Sequence, residues 1–160
     1  MRDMASGSPR KGRGSKGGQE KVMTERSSGL DPFQPLIGEW TLASQKYAEE
    51  RGRMTAESIE GDGFLRLRDD MFFATSWIIG SDDSAADCWC LYHDARGVRR
   101  VYRTSLVEGV WKIWRDDPGF SQQFVGTLAA DGQTITAEWQ SSVDGSTWET
   151  DFDLTYKRVA

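Results

Sequence analysis

From position 98 to position 156 the chain repeats one pattern. Runs at 98–106, 110–114, 120–128, 134–140 and 147–156 alternate apolar and polar residues. Between them fall Glu108-Gly109, Pro118-Gly119, Asp131-Gly132 and Asp144-Gly145. Turn signals at roughly ten-residue intervals between short alternating runs are the signature of an antiparallel meander. Alternation of period two sends one set of side chains to a core and the other to solvent. The set expected inside is Tyr102, Leu106, Trp111, Ile113, Ile135, Ala137, Trp139, Phe152, Leu154 and Tyr156.

The earlier part of the chain extends the pattern. Strands are expected at 39–45, 53–60, 64–68, 71–79 and 88–92, with Gly61-Asp62-Gly63 as a hairpin turn. Asp69-Asp70 is read as a solvated turn, and the apolar run 71–79 as a strand buried on both faces. Asp31 followed by Pro32 suits the start of a short helical turn that could plug one end. No helical period is sustained over about ten residues. The expectation is an all-β, antiparallel up-and-down barrel of about ten strands over residues 30–160, closed because an open sheet leaves two adhesive edges. A barrel of that size is wide enough to hold one small ligand.

Residues 1–29 differ in kind. They hold seven basic and three acidic residues, a net +4, which leaves −9 for the remainder of a chain whose total is −5. Their Gly/Ser/basic run cannot bury enough surface to offset its ordering entropy, so a disordered tail is expected, with Met23 as an alternative start. The acidic body argues against a nucleic-acid-binding barrel. Neither a secretory leader nor a membrane-spanning stretch is visible. Cys88 and Cys90 share one strand face about 7 Å apart, which suits buried thiols rather than a disulfide. The expectation is a cytoplasmic monomer or homodimer that binds neither nucleic acid nor membrane.

Several segments carry a family likeness. They are Leu36-Ile-Gly-Glu-Trp40, the run 92–103, Trp111-Lys-Ile-Trp-Arg115, Phe120-Ser-Gln-Gln-Phe-Val-Gly126 and Asp151-Phe-Asp-Leu-Thr-Tyr156. Together they resemble the DUF1579 family of uncharacterised bacterial proteins over residues 30–159. That resemblance implies a calycin barrel, like those of lipocalins and fatty-acid-binding proteins, and no assigned activity. The neighbouring nitrobindin-like calycins hold haem iron through a histidine late in the chain. Here no histidine follows His93, so no haem is expected.

Arg66, Arg100, Tyr102, Trp111 and Trp139 are the candidate ligand-contacting residues. A guanidinium inside a barrel needs a carboxylate, either from a ligand or from Glu57 or Glu138. Trp114 and Trp148 are further candidates for the rim. His93, the sole histidine, is expected in a rim turn. Adjacent acid pairs such as Asp69/Asp70 point to opposite faces and do not make an acid–base pair. No catalytic constellation, metal set or cofactor motif stands out. The leading expectation is therefore a barrel that binds a small, partly apolar or carboxylate-bearing ligand. The alternatives are an enzyme using the same cavity through Tyr102, Arg66 or His93, and a filled barrel that works through its surface.

Overall fold

A computed structural model describes residues 28–83 and 87–159. The expected tail up to position 27 and part of the 80–87 loop lie outside the described residues. A 3₁₀ segment, Ser28–Leu36, precedes ten strands. These are β1 (Gly38–Ala43), β2 (Arg51–Ile59), β3 (Phe64–Asp69), β4 (Thr75–Ser81), β5 (Cys88–Asp94), β6 (Arg99–Val107), β7 (Val110–Arg115), β8 (Ser121–Leu128), β9 (Thr134–Ser142) and β10 (Glu149–Arg158). Every strand pairs antiparallel with its sequence neighbours, and β1 pairs with β10 to close the barrel. This is the all-β up-and-down barrel that the alternation predicts.

Register follows from the apolar face. Leu42 stands opposite Tyr156, Leu67 opposite Trp77, Cys90 opposite Tyr102, and Phe124 opposite Trp139. A one-residue slip would turn each of these pairs to solvent. Between β6 and β7, Glu108 and Gly109 both take positive φ, at 50° and 76°. That is the two-residue hairpin whose twist matches the strands it joins, and glycine supplies the second position without strain.

One end of the barrel is sealed. Leu30, Phe33 and Leu36 of the 3₁₀ segment are buried with Trp40, Leu65 and Ile79. The Trp40 indole donates to the Leu36 carbonyl at 2.9 Å. The Arg158 guanidinium lies 4.2 Å from the Trp40 ring and donates to the Ile37 carbonyl at 2.8 Å. The last strand therefore clamps the plug that precedes the first.

Several elements begin or lie elsewhere than expected. Residues 71–74 form a loop, and β4 starts only at Thr75. That loop is apolar because Met71 and Phe73 turn into the open end of the barrel, so its composition imitates a buried strand. The 3₁₀ segment starts at Ser28, ahead of Asp31, and β2 starts at Arg51, ahead of position 53. His93 belongs to β5 rather than to a turn, exposed on the outer face and paired with Ser76 and Arg99.

Candidate functional site

The end opposite the plug opens into a cavity of about 310 Å³. The barrel is thus hollow in its upper part. The loops after β3, β5 and β7 bring Phe72, Phe73, Arg96 and Phe120 around the mouth, and Asp151 from β10 adds to the wall. Deeper, the lining is apolar and includes Leu42, Met54, Leu67, Ile113 and Leu154. A ligand entering here passes an aromatic rim that also carries Arg96 and Asp151, and meets hydrocarbon below it.

Four of the five candidate residues meet in this cavity. Arg100, Tyr102, Trp111 and Trp139 all line it. The Tyr102 hydroxyl donates to Gln122 Oε1 at 2.7 Å, and Arg100 Nη1 donates to the same oxygen at 3.0 Å. The Arg100 guanidinium also lies 5.4 Å from the Phe120 ring. Among the described residues no carboxylate pairs with Arg100. Burial pushes the Tyr102 phenol above its ordinary pKa, against a lowering pull from Arg100. Trp111 is held deeper, donating to Thr104 Oγ1 at 3.1 Å.

Arg66 is placed elsewhere. It sits on the outer face of β3 and pairs with Glu57 across β2, with Nε 3.1 Å from Oε1. Its carboxylate partner is therefore supplied by the protein, outside the barrel. Trp114 also lies on the outer face, between Arg103 and Gln123, and neither it nor Trp148 reaches the cavity. Cys88 and Cys90 are free and buried, and burial raises both thiols. Among the described residues no group of three or more His, Cys, Asp or Glu side chains is arranged to hold a metal ion.

Three features of the site escape the sequence reading. The first is Asp69. It continues the inward series Leu65, Leu67, Asp69 and lines the cavity instead of turning the chain. Burial raises its carboxyl to about 6, although the Met71 N–H and the Trp77 indole both donate to it. Period two continued for one more residue would have found it.

The second is an aromatic group. Trp77 and Trp139, from opposite walls, lie 6.1 Å apart and within 21° of parallel. Tyr102 lies 5.5 Å from Trp77 and 6.0 Å from Trp139. Tyr92 completes the group, 4.5 Å from Trp77. Such contacts require strands distant in sequence, so no local signal marks them.

The third is Asp94, which is fully buried. It accepts from the Tyr92 hydroxyl at 2.5 Å, from Arg96 Nη2 at 2.7 Å and from the Arg96 N–H at 2.9 Å. The Arg96 hydrogen bond, reinforced by those from Tyr92 and the backbone, holds this carboxyl far below its ordinary range. Arg96 in turn lies 4.1 Å from the Phe73 ring. The acid thus fixes the β5–β6 turn and one aromatic edge of the mouth together.

No family model matches the chain, and no curated protein matches it. Among solved structures the chain is similar to Rv2717c from M. tuberculosis, with a TM-score of 0.60 and 11% identity over 85% of this chain and 100% of that one. At that identity the likeness shows the barrel fold alone. No described helix is long and apolar enough to cross a membrane.

Proposed function

We propose that the barrel binds one small, partly apolar ligand with an anionic head, a carboxylate or its equivalent, at Arg100. One observation carries this reading. A half-buried guanidinium in the cavity shares a single neutral acceptor, Gln122, with Tyr102 and has no carboxylate partner among the described residues. A partly desolvated guanidinium that no carboxylate pairs with directly is favoured by a counter-charge, and an anionic ligand head would supply one at Arg100. The apolar depth below Arg100 suits the remainder of such a ligand. The calycin-type character implied by the sequence resemblance belongs to the same proposal.

The fluorescent apolar anion anilinonaphthalene sulfonate tests it. Arg100→Gln keeps the shape and a donor but removes the charge. Loss of one charge-assisted contact should weaken binding on the order of tenfold. Equal affinity in the two proteins would remove Arg100 from the site.

Asp69 favours a second reading. A cavity carboxyl raised to about 6 is suited to exchange protons near neutrality. The enzyme reading would then use Asp69 and Tyr102, since Arg66 and His93 lie outside the cavity. Turnover that vanishes in Asp69→Asn while ligand affinity is kept would favour it.

A further inference from the structure

We propose that the outer wall formed by β3 to β7 docks on an anionic lipid bilayer. The inference concerns the outside of the barrel and holds whatever the cavity binds. On a barrel in water the outward positions are expected to be polar and mixed in charge. These five strands instead mix large apolar residues with charge of one sign. One outward row joins Ile78, Leu91 and Val101, with Leu91 54% and Val101 50% exposed. The next row joins Gly80, Trp89, Arg103 and Trp114, and the Phe64 ring packs beside Gly80.

The charged outward residues of the same strands are all basic: Arg66, Arg68, Arg99, Arg103 and Lys112. No carboxylate occupies an outward position on any of the five, although the body as a whole carries −9. Two cations have ion-pair partners from outside the set. Arg66 pairs with Glu57 of β2, and Arg103 stands 3.8 Å from Asp87. Among the described residues Arg99 and Lys112 have no ion-pair partner, while Arg68 stands near enough to Glu57 to help Arg66 hold that carboxyl below its ordinary range.

The outward cations also reach the mouth end of the strands. The row nearest the mouth is Arg68, Ser76, His93 and Arg99, and the half-exposed Arg96 lies just beyond it. Of the acids in the turns of this side, Asp83, Asp87 and Glu108 lie at the plugged end, whereas Asp70, Asp116 and Asp117 lie in the mouth loops, with Asp117 paired to Arg115. The wall therefore presents an apolar centre flanked by outward cations, with its acids confined to the turns at either end. Aliphatic and Trp side chains with cations beside them are the composition of an interfacial membrane contact. Two alternatives fit less well. A second copy would set five cations against five, and a single-stranded nucleic acid would leave the Leu91–Val101 row without a partner, because bases stack on aromatic faces.

Co-sedimentation with vesicles decides the matter, using the full chain so that residues before position 30 are the same in every sample. Vesicles of phosphatidylcholine with about one third phosphatidylserine should pull the protein down, and pure phosphatidylcholine should not. Arg68→Gln combined with Arg99→Gln should weaken that binding by at least ~10-fold, as about 1 kcal/mol per basic residue at the surface requires. Leu91→Ser should weaken it at low salt while leaving the fold intact by circular dichroism. Equal binding to both vesicles, or undiminished binding of the double variant, would overturn the proposal. So would binding of oligo-deoxythymidine, but not vesicles, through the same arginines.

Discussion

Asp69 and Asp94 are two carboxylates of one wall with opposite fates. Asp94 is surrounded by donors, so its charge is favoured in the folded state and its stabilising effect is lost as the pH falls below the ordinary carboxylate range. Asp69 is held in a drier place with two donors. Its folded-state pKa, about 6, lies above the unfolded value of 3.8, so folding favours its proton. The stability it adds is complete below about pH 4 and is lost as the pH rises through 6. Asp69→Asn should therefore stabilise the barrel near neutrality, by on the order of 3 kcal/mol, and leave little difference at pH 4. Urea denaturation at several pH values reads both ends of that curve. An unchanged midpoint at pH 7.5 would mean that Asp69 is well solvated.

Among the elements, the loop from Asp70 to Ala74 most directly shapes the site. Met71 packs against Gly52 so closely that a Cβ at position 52 would stand 2.6 Å from the Met71 Cα. A methyl group there must move backbone, which carries Phe72 and Phe73 with it. Gly52→Ala should thus change the mouth, lowering anilinonaphthalene sulfonate affinity several-fold, and should lower the melting temperature as overpacking does. A variant with unaltered affinity would show that the loop does not shape the site.

The same loop marks the limit of what the sequence discloses. Strand number and inward faces are legible because period two is a local signal, and Arg100, Tyr102, Trp111 and Trp139 follow from it. The 71–79 run is misread because a loop folded into a cavity is as apolar as a strand. Arg66 shares its face with Arg68 and Phe64, and whether that face is inner or outer depends on Leu65 and Leu67, its apolar neighbours in the chain. Asp69 is missed by giving a pair of acids to a turn. The Trp77–Trp139 contact depends on closure of the whole ring, which no window of the chain contains.

At the scale of the molecule, closure makes the ten strands one cooperative object. β1 is held on one side by β2 and on the other by β10, at the far end of the chain. No strand can leave without exposing two edges, so sub-global opening is disfavoured. Tryptophan fluorescence and far-ultraviolet circular dichroism should report coincident unfolding midpoints in urea. A fluorescence transition that precedes the dichroism would show the mouth melting before the plug.

The pairing of Trp40 with Arg158 places the start of β1 and the end of β10 together at the plugged end, where the Val159 N–H donates to the Glu39 carbonyl at 2.9 Å. An engineer would see a natural handle there. A tether fused after Val159 to a chip or a fluorescent reporter would suspend the barrel with its opening turned away from the support, so the cavity could be titrated without steric cost.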